Sequence, residues 1–332
     1  MEMKTCIVKL GADGDVLRTI PLAKAMYSAT KAEITWITRG DIATLLEGLP
    51  YIHQVIQLED VAEIEEEEFD ALYNFDVDEQ ALELAEALLA QKKYGFHDDA
   101  GYPVAYNAGG EYYLNTMFDD ELKKKNTKTY QEMMFDVAEL AVTKEVFELS
   151  LKKEDRNYAE DFVAKNDLKA KKIIGIHMGA SSRWPSKAWH PQRVKEFIHL
   201  AKNHQYEIIV FGGSNEVEKH TQMIEELNKE GLKVYRNDPQ NTKKEFASLV
   251  SLCNSMVCAD SFALHVAIGL HKKTIALFFV TSPTEVEGYG LLTKIVSPQL
   301  KEFFPEKSDQ YNEDLVKSIS AEEVMNAVKN TL

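Results

Sequence analysis

Three short segments of the sequence place charged and hydroxyl side chains directly after an apolar run. The first, residues 11–15, reads Gly-Ala-Asp-Gly-Asp. A dinucleotide-binding turn needs the pattern G-x-G-x-x-G, but Leu17 stands where its third glycine belongs, and Asp13 and Asp15 replace small residues. The segment therefore argues against a nicotinamide dehydrogenase. Asp15 can either cap the helix that follows or act as a general base at the end of a strand.

The second segment, residues 178–189, lies between a predicted strand and a predicted helix. Its hydroxyl groups, its backbone N–H groups, Arg183 and Lys187 together suit a diphosphate better than a neutral ligand. The alternative is structural: Trp184 and Trp189 would plug the loop, and the charged side chains would be solvated. The residues alone leave both interpretations open.

The third segment, residues 258–265, also runs from a strand into a helix. Asp260 and Ser261 can cap this helix, and its N-terminal dipole can stabilise the negative charge of a departing phosphate. His265 lies about one turn inside the helix, where a packed core side chain is the alternative to a catalytic one.

The elements that must position these segments are short apolar runs that alternate with amphipathic stretches. The predicted strands are 6–10, 33–38, 53–58, 71–75, 172–177, 207–211, 232–235, 255–259 and 274–279. The predicted helices are 16–29, 79–91, 130–141, 191–203, 215–229, 243–252, 261–269 and 321–330. The alternation predicts an α/β fold of two doubly wound, Rossmann-like domains, with a cleft at the carboxyl ends of the strands. Because segment 151–171 is charged and weakly patterned, the boundary is placed there, which gives domains 1–160 and 161–332.

Composition and charge exclude several classes of protein. The 332 residues carry a net charge of −16, and 45 % of them are hydrophobic, so the chain is neither disordered nor a generic nucleic-acid binder. Residues 1–165 carry a net charge of −17 and residues 166–332 a net charge of +1, which indicates two halves with different chemical partners.

The N-terminus lacks a secretory pattern, and the longest apolar stretch, 275–280, is too short for a transmembrane segment. The three cysteines form no C-x-x-C pair, which predicts buried free thiols in a reducing, cytoplasmic compartment. The nine histidines have no metal-ligand spacing, so no metal site is predicted.

The three segments, in this order, resemble glycosyltransferase family 9, the ADP-heptose:lipopolysaccharide heptosyltransferases. Residues 8–21 (VKLGADGDVLRTIP) resemble the opening strand, loop and helix of the family, and residues 179–189 (GASSRWPSKAW) resemble its phosphate loop. Residues 260–267 (DSFALHVA), with 281–283 (TSP) and 288–290 (GYG), resemble its C-terminal signature. The resemblance implies a GT-B architecture, in which two Rossmann-like domains face each other across a cleft.

The resemblance also implies an inverting, metal-independent transfer of heptose from ADP-heptose to a saccharide acceptor, without a cofactor. The N-terminal domain would bind the acceptor and supply Asp15 as the catalytic base. The C-terminal domain would bind the donor, and the donor-binding residues that the resemblance implies are Ser181, Lys187, Glu216, Asp260, Ser261 and His265.

Two residues depart from the family pattern and are expected to modulate the site. Phe262 occupies a position where the family usually has glycine, so its ring either points away or reshapes the donor site. Asp13 replaces an apolar or small residue, and its repulsion of Asp15 would make one of the two carboxylates the stronger base.

Alternative functions are transfer from another nucleotide sugar, transfer to a protein acceptor, and a non-catalytic relative that binds sugar nucleotides. The acidic N-terminal half predicts an acceptor less anionic than a phosphorylated lipopolysaccharide inner core. Lys123, Lys124 and Lys125 would touch an anionic acceptor or a membrane surface, or else form part of a solvated loop. The expected partners are thus a nucleotide-sugar donor and a glycan acceptor that is either free or membrane-associated, and not nucleic acid.

Overall fold

The computed structural model describes residues 3–179 and 183–332. The chain divides into two compact units by its internal contacts. Unit 1 consists of Met1–Ser150 and Thr284–Glu287, and unit 2 consists of Leu151–Pro283 and Gly288–Leu332. Within the described residues, no helix combines the length and the apolar character that crossing a membrane requires.

Unit 1 contains a sheet that has six strands in the described part of the chain, in the order β3-β2-β1-β4-β5-β6. Its strands are β1 (Lys4–Val8), β2 (Glu33–Thr38), β3 (Gln54–Gln57), β4 (Glu68–Asn74), β5 (Leu89–Asp99) and β6 (Tyr102–Ala105). Its helices are α1 (Asp13–Thr30), α2 (Ala43–Leu46), α3 (Glu79–Ala87), α4 (Ala108–Phe118), α5 (Asp120–Lys125) and α6 (Tyr130–Val137). All strand pairs are parallel except β5 with β6, which form an antiparallel hairpin.

Unit 2 contains a second sheet, again with six strands among the described residues, in the order β12-β11-β10-β7-β8-β9. Its strands are β7 (Ile173–His177), β8 (Glu207–Phe211), β9 (Tyr235–Arg236), β10 (Ser255–Ala259), β11 (Lys273–Phe278) and β12 (Leu292–Val296), all paired in parallel. Its helices are α7 (Lys153–Asn166), α8 (Pro191–Asn203), α9 (Val217–Lys229), α10 (Lys243–Ser251), α11 (Phe262–Gly269), α12 (Leu300–Phe303), α13 (Glu313–Lys317) and α14 (Ala321–Thr331). The prediction of two doubly wound α/β sheets is confirmed.

The central strands are buried because their residues are apolar on both faces. In β1, Cys6, Ile7 and Val8 are fully buried between helices on either side of the sheet, as expected for a parallel strand. The corresponding strand of unit 2, β10, is buried over its whole length. Polar residues therefore collect where these strands end, and the loops at the strand ends carry the candidate site.

Several local predictions are wrong; the helix predicted over 130–141, for example, ends at Val137. The helix predicted over 79–91 ends at Ala87, because Leu89 begins the long strand β5, in which only Gly95 and Phe96 are buried. The strand predicted at 232–235 is confined to Tyr235–Arg236. Segment 151–171, which is charged and weakly patterned and in which the domain boundary is placed, contains helix α7, of which only Ala159 is buried. The predicted division between residues 160 and 161 falls inside this helix.

Candidate functional site

The loop between β1 and α1 is held in place by a buried ion pair. Lys9 is 2 % exposed, and its Nζ lies 2.6 Å from Asp76 Oδ1 and donates to the Phe75 carbonyl at 3.1 Å. The other carboxylate oxygen of Asp76 accepts the backbone N–H groups of Leu10 (2.5 Å) and Gly11 (2.7 Å). One carboxylate thus fixes both the end of β1 and the start of the loop.

Asp15 lies in the first turn of α1 and is not its N-cap. The N-cap position is Ala12, which makes no side-chain capping bond, and both Asp13 and Asp15 belong to the helix itself. The capping interpretation of Asp15 is therefore wrong. Carboxylates in the first turn still interact favourably with the helix dipole.

The Asp15 carboxylate is paired with an arginine of its own helix. Arg18 Nη2 lies 2.9 Å from Asp15 Oδ1, and its guanidinium stacks on the Tyr130 ring at 3.7 Å from the ring centroid. Tyr130 in turn shares a hydrogen bond of 3.1 Å with Thr19, whose hydroxyl donates to the Asp15 carbonyl. A guanidinium at this distance favours the ionised carboxylate, which is the form that a general base needs.

In unit 2, the cation of the predicted phosphate loop is paired with an acid of the third segment. Lys187 ends the short 3₁₀ turn Pro185–Lys187, and its Nζ lies 3.7 Å from Asp260 Oδ2. Asp260 Oδ1 lies 3.8 Å from His265 Nε2, and the His265 side chain is buried. The structure therefore brings three predicted donor-binding residues together. Ser181, also predicted to bind the donor, lies outside the described residues.

Ser261 occupies the N-cap position of α11, but its hydroxyl makes no capping bond to the helix. Its Oγ instead lies 3.4 Å from Nδ1 of His177, the last residue of β7. Phe262, the first residue of α11, turns its ring towards α10, where it contacts Phe246 at 5.4 Å and the Lys243 Nζ at 4.7 Å. Since the ring packs on α10, it leaves the N–H groups at the start of α11 uncovered by its own side chain.

Glu216 ends a 3₁₀ turn directly after the pair Gly212–Gly213, and its Oε2 accepts the Gly213 N–H at 2.8 Å. Close approach requires glycine at Gly212 and at Gly179, which follows β7, but not at Gly213. A Cβ on Gly212 would lie 2.4 Å from His220 Cε1, and a Cβ on Gly179 would lie 2.9 Å from His177 Cε1. The backbone here passes too close to two imidazoles to carry a side chain.

His177 and His220 are two residues of this region that sequence reasoning missed. Burial is the main cause that lowers the pKa of each imidazole to about 4, and the charges of His220 and Arg236, respectively, lower it further. Both rings are therefore neutral at physiological pH. The sequence signals that point to them are the position of His177 at a strand end and the four-residue spacing of His220 from Glu216.

A cavity of about 580 Å³ opens beside these residues within unit 2. Its apolar wall includes Met178, Ala188, Trp189 and Val316, and its polar side includes Glu216 and His220. An apolar wall opposite a carboxylate suits the base and the ribose hydroxyls of a nucleoside. In the described part of the chain, no group of three or more histidine, cysteine, aspartate or glutamate side chains is arranged to hold a metal ion.

The sequence pattern of glycosyltransferase family 9 (heptosyltransferase) matches residues 61–315, well over half of the chain. Lipopolysaccharide heptosyltransferase 2 of Salmonella typhimurium is 30 % identical over 112 residues, which cover 33 % of this chain and 32 % of that protein. The chain thus aligns with only about a third of the length of this curated relative.

Two solved structures have the same fold over nearly their whole length. The family 9 glycosyltransferase of Veillonella parvula has a TM-score of 0.79 at 19 % identity, covering 100 % of this chain and 98 % of that chain. The ADP-heptose lipopolysaccharide heptosyltransferase II of Escherichia coli has a TM-score of 0.76 at 17 % identity, covering 99 % and 98 %. The predicted resemblance is confirmed: the chain belongs to glycosyltransferase family 9.

Proposed function

We propose that this protein is an inverting glycosyltransferase that moves heptose from ADP-heptose to a saccharide acceptor. The observation that carries the proposal is the grouping of Lys187, Asp260 and His265 at the start of α11 in unit 2. Such a grouping offers a cation, hydrogen-bonding side chains and helix N–H groups to one ligand, which is what a sugar diphosphate requires.

Each donor group has a proposed partner in unit 2. Lys187 and the backbone N–H groups that follow Ser261 bind the diphosphate and stabilise its charge as it departs. Asp260 and His265 contact the sugar or the adjacent phosphate, and Ser181 contacts the same phosphates. Glu216, at the cavity, accepts hydrogen bonds from the ribose hydroxyl groups. The E. coli protein of similar fold is an ADP-heptose transferase, which supports this choice of donor.

Asp15 in unit 1 is proposed to deprotonate the acceptor hydroxyl. Direct displacement at the anomeric carbon inverts its configuration and needs one base on the acceptor side. The Arg18 guanidinium is paired with the Asp15 carboxylate, and the first turn of α1 fixes the position of Asp15. Because Lys187 and helix N–H groups supply the positive charge on the donor side, the proposed transfer needs no metal ion.

The acceptor side of the proposal rests on the charge of the chain. Unit 1, which contains most of the predicted domain 1–160, is proposed to bind the acceptor, and unit 2 is proposed to bind the donor. Since the N-terminal half is strongly acidic, the proposed acceptor is a glycan with few phosphates, reached in the cytoplasm either free or at a membrane surface. Lys124 and Lys125 lie near Glu121, at 3.0 and 3.9 Å, which favours the solvated interpretation of this lysine run.

The donor proposal is tested by calorimetric titration with ADP, UDP and GDP. ADP is expected to bind tightest, and Lys187→Gln is expected to weaken ADP binding by about 10- to 100-fold, because a charge-assisted hydrogen bond contributes about 1.5–3 kcal/mol. Lys195→Gln is the matched control, since Lys195 is also ion-paired but lies on the exposed face of α8. Equal binding of the three nucleotides would contradict the choice of donor.

The transfer itself is tested by mass spectrometry of products formed from ADP-heptose and a panel of oligosaccharide, lipid and protein acceptors. Asp15→Asn is expected to bind ADP normally and to lose transfer. A variant that keeps full transfer would contradict the assignment of the base.

If no acceptor in the panel is modified while ADP still binds, the non-catalytic alternative is favoured. Tight binding of a phosphorylated inner-core acceptor would contradict the charge argument.

A further inference from the structure

The Lys9–Asp76 ion pair takes no direct part in the proposed reaction, yet it is buried and holds the loop that leads to Asp15. The side chains of Lys9 and Asp76 are 3 % and 11 % exposed. Burying two charges is costly unless their hydrogen bonds are satisfied, and here both carboxylate oxygens are engaged. Because the hydrogen bonds of this ion pair are satisfied, its geometry is defined, and it fixes the position of the loop that is bonded to it.

The Asp76 carboxylate is itself fixed by the neighbouring strands. The Asp76 backbone N–H donates to Asn74 Oδ1 at 3.0 Å, and Asn74 Nδ2 donates to the Phe96 carbonyl of β5 at 2.9 Å. Gly11 packs directly on this carboxylate, since a Cβ at Gly11 would lie 2.9 Å from Asp76 Oδ1. The loop that leads into α1 is therefore clamped to β4 and β5 through one side chain.

Charge links the same pair to Asp15. The charged and titratable groups around Asp15 include Asp13 and Arg18 of α1, Lys9 after β1, Tyr113 of α4 and Tyr130 of α6, and Lys9 is in turn paired with Asp76. Burial alone would lower the pKa of Lys9, but the charges of Tyr130, Asp76 and Asp15 raise it above its ordinary value. The charge of Asp15 therefore acts on Lys9, whose ammonium group is paired with the Asp76 carboxylate at 2.6 Å.

We propose that Asp76 is a positioning residue for Asp15: it clamps the loop that presents the base and shields the base from the buried charge of Lys9. The inference rests on the proposed role of Asp15 in transfer. It assigns Asp76 no contact with substrate, so its effect must appear in the placement and ionisation of Asp15 and not in donor binding.

The test is Asp76→Asn, with the pH profile of transfer as the main measurement. We expect kcat to fall about 10- to 100-fold, the cost of a misplaced catalytic group, with the KM for ADP-heptose unchanged. The acid limb of kcat/KM is expected to move about one pH unit lower, because the unshielded Lys9 charge favours ionised Asp15. In the double variant Lys9→Met, Asp76→Asn the limb is expected to return, since both charges are gone.

Asp70→Asn is the matched control, because Asp70 lies on β4 and, like Asp76, accepts a backbone N–H with its carboxylate, that of Lys4 of β1 at 2.8 Å. It is expected to leave the pH profile and kcat unchanged. An acid limb that does not move in Asp76→Asn, or that moves equally in Asp70→Asn, would overturn the shielding role.

Hydrogen exchange of the ligand-free protein provides a readout that does not depend on activity. Asp76→Asn is expected to speed exchange at the Leu10 and Gly11 amides, while the amides of unit 2 remain as protected as in the unmodified chain. Unchanged exchange at Leu10 and Gly11 would overturn the clamping role. If Asp15→Asn retains transfer, the assignment of Asp15 as the base is wrong. If Asp15→Asn is inactive while Asp76→Asn has normal activity, only the positioning role of Asp76 is wrong.

Discussion

Mild acid is expected to destabilise unit 2 through the histidines behind the candidate donor site. The pKa of His177 falls from an ordinary 6.5 to about 4 in the folded protein, mainly because of burial. At a pH between these two values, His177 is protonated in the unfolded chain but neutral in the folded chain. By linkage, stability is complete above pH 6.5 and is lost progressively as the pH falls towards 4.

The size of this loss follows from the two pKa values. At pH 5 the unfolded His177 is almost fully protonated and the folded one is almost fully neutral, a gap of about 1.5 pH units. At about 1.4 kcal/mol per unit, this histidine costs at most about 2 kcal/mol of folding free energy relative to pH 7.5. The figure is an upper value because the His177 ring is not fully buried. His220 shifts in the same direction and adds to the loss.

Urea unfolding at pH 7.5 and pH 5, followed by tryptophan fluorescence, measures this loss. Trp36 is in unit 1, so the variant Trp36→Phe leaves Trp184 and Trp189, which report on unit 2. His177→Gln in this background is expected to reduce the pH dependence by up to about 2 kcal/mol. His199→Gln, on the exposed face of α8, is the control and is expected to leave the dependence intact.

The reasoning would be refuted by two results. One is a free energy of unfolding of unit 2 that is the same at pH 7.5 and at pH 5. The other is a loss of this free energy at pH 5 that is the same with and without His177. Carboxylates do not confuse the comparison, because the carboxyl groups with lowered pKa, such as Glu226 and Glu313, titrate below 4.5.

Two further expectations concern packing. Gly212→Ala places a methyl group 2.4 Å from the His220 ring and is expected to destabilise unit 2 by about 1–3 kcal/mol in urea unfolding, whereas Gly213→Ala, with 3.6 Å to its nearest neighbour, is expected to be tolerated. Equal urea midpoints for Gly212→Ala and Gly213→Ala would contradict the close approach of Gly212 to the His220 ring. Thiol titration of the native protein is expected to label none of the cysteines, because all are buried and burial raises the pKa of each, that of Cys253 to about 12. Rapid labelling under native conditions would show that the thiols are accessible.

Much of the fold could be predicted because parallel strands are marked by short apolar runs. The strand β7, with four buried residues, and the amphipathic helix α9 are examples that local pattern identifies well. The strand β5 was missed because it is half polar and follows a helix with only one residue between them. Helix α7 was missed because its sequence is charged all round and only Ala159 is buried, so no periodic apolar face marks it.

The candidate site could be predicted as a set of loops, but not as a set of contacts. Lys187 and Asp260 were each assigned to the donor side, yet nothing in the spacing of 73 positions along the sequence shows that they pair. Asp76 was missed because it acts through backbone N–H groups of a distant loop, an interaction with no local signature. The prediction of buried free cysteines is confirmed, because it needed only residue type and count.

The Lys187–Asp260 ion pair means that an anion bound by Lys187 competes with a carboxylate of the protein itself. Binding is then an exchange of one counter-ion for another, so part of the Coulomb energy gained with the ligand is lost with Asp260. In the proposed reaction, the reverse exchange would help the diphosphate product to leave, because Lys187 would regain Asp260 as its partner. A site of this kind gives up affinity in return for turnover.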